Sequence, residues 1–153
     1  MALYLVQHGR SFSKELDAEQ GLTPEGVADV ERIAKVAANY GVRVSRIQHS
    51  GKKRALQTAE IYAAALRPAK GVEPGSGLNP LDDVTQLAAQ LDSSENLMLV
   101  GHLPFMERLA SYLITGSIET LVFKFQNGGV VCLDHDPENN SWFIKWALMP
   151  KVG

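Results

Sequence analysis

Two histidines occupy equivalent places in this chain. The apolar run Leu3-Tyr4-Leu5-Val6 leads into Gln7-His8-Gly9-Arg10, and Leu97-Met98-Leu99-Val100 leads into Gly101-His102-Leu103-Pro104. A further run ends at His49-Ser50-Gly51 and passes directly into Lys52-Lys53-Arg54. Open α/β sheets place their ligands beyond the carboxyl ends of parallel strands, so parallel pairing would bring both imidazoles to one edge. A helix beginning near Lys53 offers free amides and the positive end of its dipole to an anion. Arg54 adds a planar fork that matches phosphate oxygens. Gly9 leaves the backbone open beside His8, so that a bulky anion can approach. Two histidines, an arginine and a helix start suit phosphoryl transfer better than metal binding, because no acidic cluster or closely spaced histidine pair accompanies them.

Taken singly, these pieces have plainer readings. Lys52-Lys53-Arg54 alone is a solvated basic patch. Ser50-Gly51-Lys52 lacks the earlier glycine that a phosphate-binding loop requires. His135 lies in Asp134-His135-Asp136, just before Pro137 and Asn139-Asn140, and reads as part of a polar hairpin turn. His49 fits either a pocket wall or a strand end.

The elements that must position these residues follow from periodicity. Leu3–Val6 is a buried strand. Thr23 caps a helix, Pro24 suits its first position and Glu25 its positive end. Val27, Val30, Ile33, Ala34, Ala37 and Tyr40 repeat at helical spacing, and Gly41 stops the helix. Val42 to His49 reads as a strand, and Lys53 to Leu66 as a helix ended by Arg67-Pro68. Ala69 to Pro80 reads as a loop, rich in glycine and proline. Asp82 to Leu91 is expected to be a short helix and Leu97–Val100 a buried strand, after which Pro104 opens another helix. Leu121–Phe125, Val130–Leu133 and Trp142–Leu148 read as strands joined by turns at Asn127-Gly128-Gly129 and Asp134–Asn140. The expected fold is α/β, a mixed sheet covered by helices.

At 153 residues the chain fits a single domain spanning positions 1–153. A net charge of −2 gives no global attraction to nucleic acid or anionic membrane, so any anion site must be local. Cys132, the only cysteine, stands in an apolar run and reads as a small buried hydrophobe. No signal peptide or membrane-length apolar run is evident, and a cytoplasmic location is expected.

The order of these pieces resembles the histidine phosphatase, or phosphoglycerate mutase-like, superfamily, and most of all its short members of the SixA phosphohistidine phosphatase type. The resemblance is carried by Leu5-Val6-Gln7-His8-Gly9, Leu22-Thr23-Pro24-Glu25-Gly26, Ser50-Gly51-Lys52-Lys53-Arg54-Ala55-Leu56-Gln57-Thr58-Ala59 and Gly101-His102-Leu103-Pro104. It implies a three-layer α/β/α sandwich with a mixed, mostly parallel central sheet. It also implies that His8 is the phosphate-accepting nucleophile, Arg54 the phosphoryl clamp and His102 the second pocket histidine. Gln7, Gly9, Arg10 and Ser50 are the further candidates for binding phosphate. No metal or other cofactor is required.

The chain departs from that pattern at Gln7, where the family usually carries arginine. A glutamine amide still donates a hydrogen bond but brings no charge. The difference is about 0.5–1.5 kcal/mol for a neutral bond against 1.5–3 for a charged one. Arg10 is the first candidate for a substitute cation and Lys52 the second. The proton donor of larger members has no clear counterpart here. Glu73, Asp82 and Asp83 are the available acids, and the aspartate pair equally suits a helix start. A missing acid fits a leaving group that departs easily, such as the imidazole of phosphohistidine. The expected activity is therefore removal of phosphate from phosphohistidine in a protein. The alternatives are a phosphatase of small phosphate esters and a phosphate- or phosphoprotein-binding module impaired by Gln7.

Overall fold

The first strand, β1 (Leu3–Gln7), is apolar on both faces because helices cover both. The computed structural model describes residues 2–92 and 94–153. The chain continues through α1 (Pro24–Asn39), β2 (Arg46–His49), α2 (Lys53–Leu66), β3 (Val72–Pro74), α3 (Val84–Ala89), β4 (Leu97–Gly101), α4 (Phe105–Thr115), β5 (Val130–Asp136) and β6 (Ser141–Leu148). The strands form one sheet in the order β3-β2-β4-β1-β5-β6. β1 to β4 run parallel, and β5 lies antiparallel to both neighbours.

Side chains alternate across the sheet with the period of two that a strand imposes. Tyr4 and Val6 pack with Val30, Ile33 and Ala34 of α1 and Ala55, Ala59 and Tyr62 of α2. Leu3 and Leu5 face the other way, onto Val84 of α3 and Phe105, Met106 and Leu109 of α4. The result is the three-layer sandwich with a mostly parallel sheet. Leu5, Ile47 and Leu99 are fully buried, and each such side chain contributes about 1.5–3 kcal/mol. Cys132 is buried in the layer beneath α1 and α2, and burial pushes its thiol pKa up to about 11.

Several elements differ from the sequence expectation. β3 lies within the stretch read as a loop. It is only three residues long, and Pro74 closes it at the sheet edge, where a missing amide costs little. β2 begins at Arg46 rather than Val42. Leu121–Phe125 is not a strand: its Phe125 amide donates to the Glu107 carboxylate on α4 at 3.0 Å. Phe123 and Phe125 stack edge to face and pack against the α4 layer, which explains their alternating pattern. Pro104 caps α4 instead of opening its first turn.

Positioning of the candidate site starts at the N-terminus of α1. Thr23 Oγ1 accepts the Gly26 amide at 2.9 Å, and the Thr23 amide donates to the Arg10 carbonyl at 3.0 Å. The segment after β1 is thus laid across the helix start. A Cβ at Gly26 would fall 2.1 Å from that Arg10 carbonyl oxygen. We expect Gly26→Ala to destabilise the fold by about 1–3 kcal/mol. That outweighs the roughly 0.5–1 kcal/mol by which alanine ordinarily improves a helix. An unchanged or raised urea midpoint would refute the close approach.

Candidate active site

Parallel pairing of β1 and β4 sets Gln7 opposite Gly101. One residue further, the His8 amide donates to the Gly101 carbonyl at 2.9 Å. His8 and His102 therefore leave adjacent strands side by side, with ring centroids 5.0 Å apart and planes at 54°. The Asn127 side-chain amide donates to the His8 carbonyl at 3.0 Å and holds the backbone there. His8 Nδ1 lies 2.7 Å from the Gly9 carbonyl oxygen. A carbonyl only accepts, so Nδ1 carries the proton and Nε2 presents a lone pair.

α2 is tied to the same loop. The Gly9 amide donates to Thr58 Oγ1 at 2.9 Å, and the Thr58 hydroxyl donates to the Arg54 carbonyl at 2.8 Å. Thr58 is completely buried, so this link is shielded from water. Lys52, the capping residue of α2, supplies no side-chain hydrogen bond to the first turn. Arg54 is half-buried there and makes no ion pair among the described residues. Burial lowers its pKa, the usual cost of removing a guanidinium from water. His102 is 2 % exposed. Its Nε2 lies 2.6 Å from Ser50 Oγ, and its Nδ1 is buried without a partner.

Burial and nearby cations favour neutral histidines. Burial lowers the His8 pKa; the Gly9 hydrogen bond opposes this and the Arg54 charge adds to it. Burial, then the charges of His8, Arg54 and Lys52, lowers His102 to about 3. No carboxylate contributes to either shift. Two uncharged imidazoles thus face cations that no acid neutralises.

The other sequence candidates are distributed more widely. Gln7 ends β1, and its Oε1 is buried without a partner. Val30 of α1 lies 2.7 Å from the position a Gly9 Cβ would take, so a side chain there would meet α1. Arg10 is exposed and pairs with Glu25 at 2.9 Å, and Glu25 also reaches Lys151 at 3.4 Å. Lys52 is among the charges that lower the His102 pKa. Lys53 turns to Glu19 at 3.3 Å. Asp82 accepts the Asn79 amide, and Asp83 caps α3 through the Thr85 amide and hydroxyl. Glu73 pairs with Arg46 at 3.1 Å. His49 is buried, and its Nδ1 accepts the Gly51 amide at 3.0 Å.

Sequence reasoning missed Thr58, Asn127 and Tyr62. Thr58 lies one turn beyond Arg54, where a buried hydroxyl bonds back to the carbonyl four residues earlier. Asn127 reads as a turn residue, and the turn hides its bond to His8. The Tyr62 hydroxyl donates to the Gly128 carbonyl at 2.6 Å, while the Gly128 amide donates to the Gln7 carbonyl at 2.9 Å. Among the described residues, no three His, Cys, Asp or Glu side chains gather to hold a metal ion. No helix among them is long and apolar enough to cross a membrane.

Residues 3–79 match the family model of the histidine phosphatase superfamily (branch 1), and the chain belongs to that superfamily. No curated protein matches it. Among solved structures it is similar to the protein histidine phosphatase SixA complexed with tungstate, with TM-score 0.84 and 22 % identity over 98 % of this chain and 97 % of that one. It is also similar to the alpha-ribazole phosphatase from Shigella flexneri, with TM-score 0.79 and 16 % identity over 100 % and 98 % of the two chains. The phosphoserine phosphatase from Entamoeba histolytica follows, with TM-score 0.71 and 16 % identity over 95 % of each chain. One fold thus carries several substrate names.

The depressed histidine pKa values have a consequence for stability. Below the ordinary value of 6.5 the unfolded chain binds protons that folded His102 refuses, until about pH 3. Stability therefore falls with falling pH across that window, by up to about 1.4 kcal/mol per pH unit for one group. We expect His102→Gln to flatten this part of the urea-midpoint profile. Parallel profiles for wild type and variant would contradict the burial of a neutral His102.

Proposed function

We propose that the protein is a phosphatase that removes phosphate from phosphohistidine in a protein through a covalent phospho-His8 intermediate. The observation that carries this reading is the His8 ring, with its Nδ1 proton held on the Gly9 carbonyl. A neutral imidazole in that tautomer is a ready nucleophile. Nε2 attacks phosphorus in line, an Nε2–P bond forms, and the bond from phosphorus to the substrate imidazole breaks. The leaving imidazole takes its proton from solvent. Water then attacks the phosphorus on His8, the Nε2–P bond breaks, inorganic phosphate departs and neutral His8 is restored. Arg54, helped by Lys52, stabilises the phosphoryl oxygens, which is most of what phosphoryl transfer needs. A fold relative solved with tungstate, a tetrahedral oxyanion, is in keeping with an oxyanion ligand.

The leaving group selects among substrates. Asp82, Asp83 and Glu73 are engaged in local contacts. An alkyl phosphate ester would need an acid to protonate its departing oxygen, whereas an imidazole leaves without one. This disfavours small phosphate esters. A second reading, a phosphate-binding module without turnover, rests on Gln7, which brings no charge and leaves a buried oxygen unpaired.

Incubation with a phosphohistidine-bearing domain separates the readings. We expect release of phosphate, transient labelling of His8, and loss of both in His8→Ala. Gln7→Arg should raise the rate, on the order of 10²–10³-fold if the added charge acts in the transition state. Phosphate binding without turnover, with activity appearing only in Gln7→Arg, would favour the binding module. Hydrolysis of small esters with no action on the phosphoprotein would favour the small-molecule reading.

A further inference from the structure

Ser50 follows β2 and precedes the first turn of α2. Its hydroxyl has two neighbours: the Lys52 amide, 3.4 Å from Oγ, and His102 Nε2 at 2.6 Å. An amide only donates, so Oγ accepts on that side. A hydroxyl keeps a second lone pair, so the Ser50–His102 contact is compatible with either direction; with the hydroxyl donating, Nε2 accepts. A neutral imidazole with an accepting Nε2 carries its proton on Nδ1. That Nδ1 is buried and has no partner in the protein.

An orphaned donor in a buried ring is costly. It becomes useful when an anion arrives. A phosphoryl oxygen is attracted by an N–H and repelled by a bare lone pair, so only one tautomer of His102 serves the site. We infer that Ser50 is a positioning residue that fixes His102 in the Nδ1-protonated tautomer, reserving its unused N–H for a phosphoryl oxygen. The inference rests on the phosphatase reading of the same site. It gives Ser50 a different task from direct phosphate binding, and it makes His102 a neutral hydrogen-bond donor. The two histidines then share one tautomer for opposite ends. His8 spends its Nδ1 proton on the Gly9 carbonyl to free Nε2 for attack, and His102 spends its Nε2 lone pair on Ser50 to free Nδ1–H for binding.

Nitrogen-15 NMR of the histidine rings tests this in the intact protein. We expect wild-type His102 to be neutral and protonated on Nδ1, and added inorganic phosphate to shift that signal. Ser50→Ala should release the tautomer, populate the Nε2-protonated form and lower kcat/KM about tenfold, the scale of one neutral hydrogen bond. Ser50→Thr, which keeps a hydroxyl, should restore both. A wild-type His102 protonated on Nε2 would overturn the inference even if every variant failed to fold. So would an Nδ1 signal unmoved by phosphate, or a tautomer indifferent to Ser50→Ala. Failure of the phosphatase reading would show separately, as absence of labelled His8 with the tautomer intact.

Discussion

The pairing of β1 with β4 is the constraint on which the rest depends. Gln7 opposite Gly101, continued by the bond from the His8 amide to the Gly101 carbonyl, sets the two imidazoles beside each other. Strand pairing has no tolerance here. A slip of one residue would turn Leu3 and Leu5 toward α1 and α2, and Tyr4 and Val6 toward α3 and α4. The two apolar layers thus hold the register, and the register holds the site. Parallel order brings the ends of β2 and β3 to the same edge, so Ser50 and the start of α2 arrive there without further design.

Around that pair the protein leaves groups unsatisfied. Gln7 Oε1 and His102 Nδ1 are buried without partners, and Arg54 makes no ion pair among the described residues. Each is a cost to the fold, and the interactions nearby are well satisfied by contrast. Thr58, Asn127 and Tyr62 all complete their bonds in holding the His8 segment. A buried ring nitrogen without a partner and a cation without an ion pair, among well-bonded supports, fit the anion site proposed above.

How much of this was legible in the chain depends on range. β1, α1, α2 and β4 carry strong local signals: apolar runs, a threonine cap, a proline at the helix start, and glycine at its end. The placement of His8, His102, Ser50 and Arg54 at one edge followed from these, because they lie at element ends. Contacts made across the fold left no such trace. Nothing in the local sequence at Gly9 shows that Val30, twenty-one positions later, occupies the place its side chain would take. Arg10 pairs instead with Glu25 at the next helix start, a contact no local pattern announces. Phe123 and Phe125 alternate as a strand would, but they answer to α4 and Glu107 and pair with no strand. β3 was hidden because three residues that follow a glycine and end in proline carry no period.

The charge pattern also explains why a missing acid and a good nucleophile go together. A carboxylate placed near enough to protonate a leaving group would lie near enough to raise the pKa of both histidines. A protonated His8 has no lone pair to offer. This site keeps its imidazoles neutral by burial and by the cations of Arg54 and Lys52, with no carboxylate contributing. The same choice forgoes an acid for the departing group. A second arginine would lower the histidine pKa values further and grip the phosphoryl group more tightly, but these histidines are already neutral without it. What Gln7 gives up is therefore charge stabilisation of the phosphoryl oxygens, and it gives up none of the nucleophile's readiness. In the proposed reading the substrate needs little help in leaving, and a phosphoryl group bonded to imidazole nitrogen meets that need.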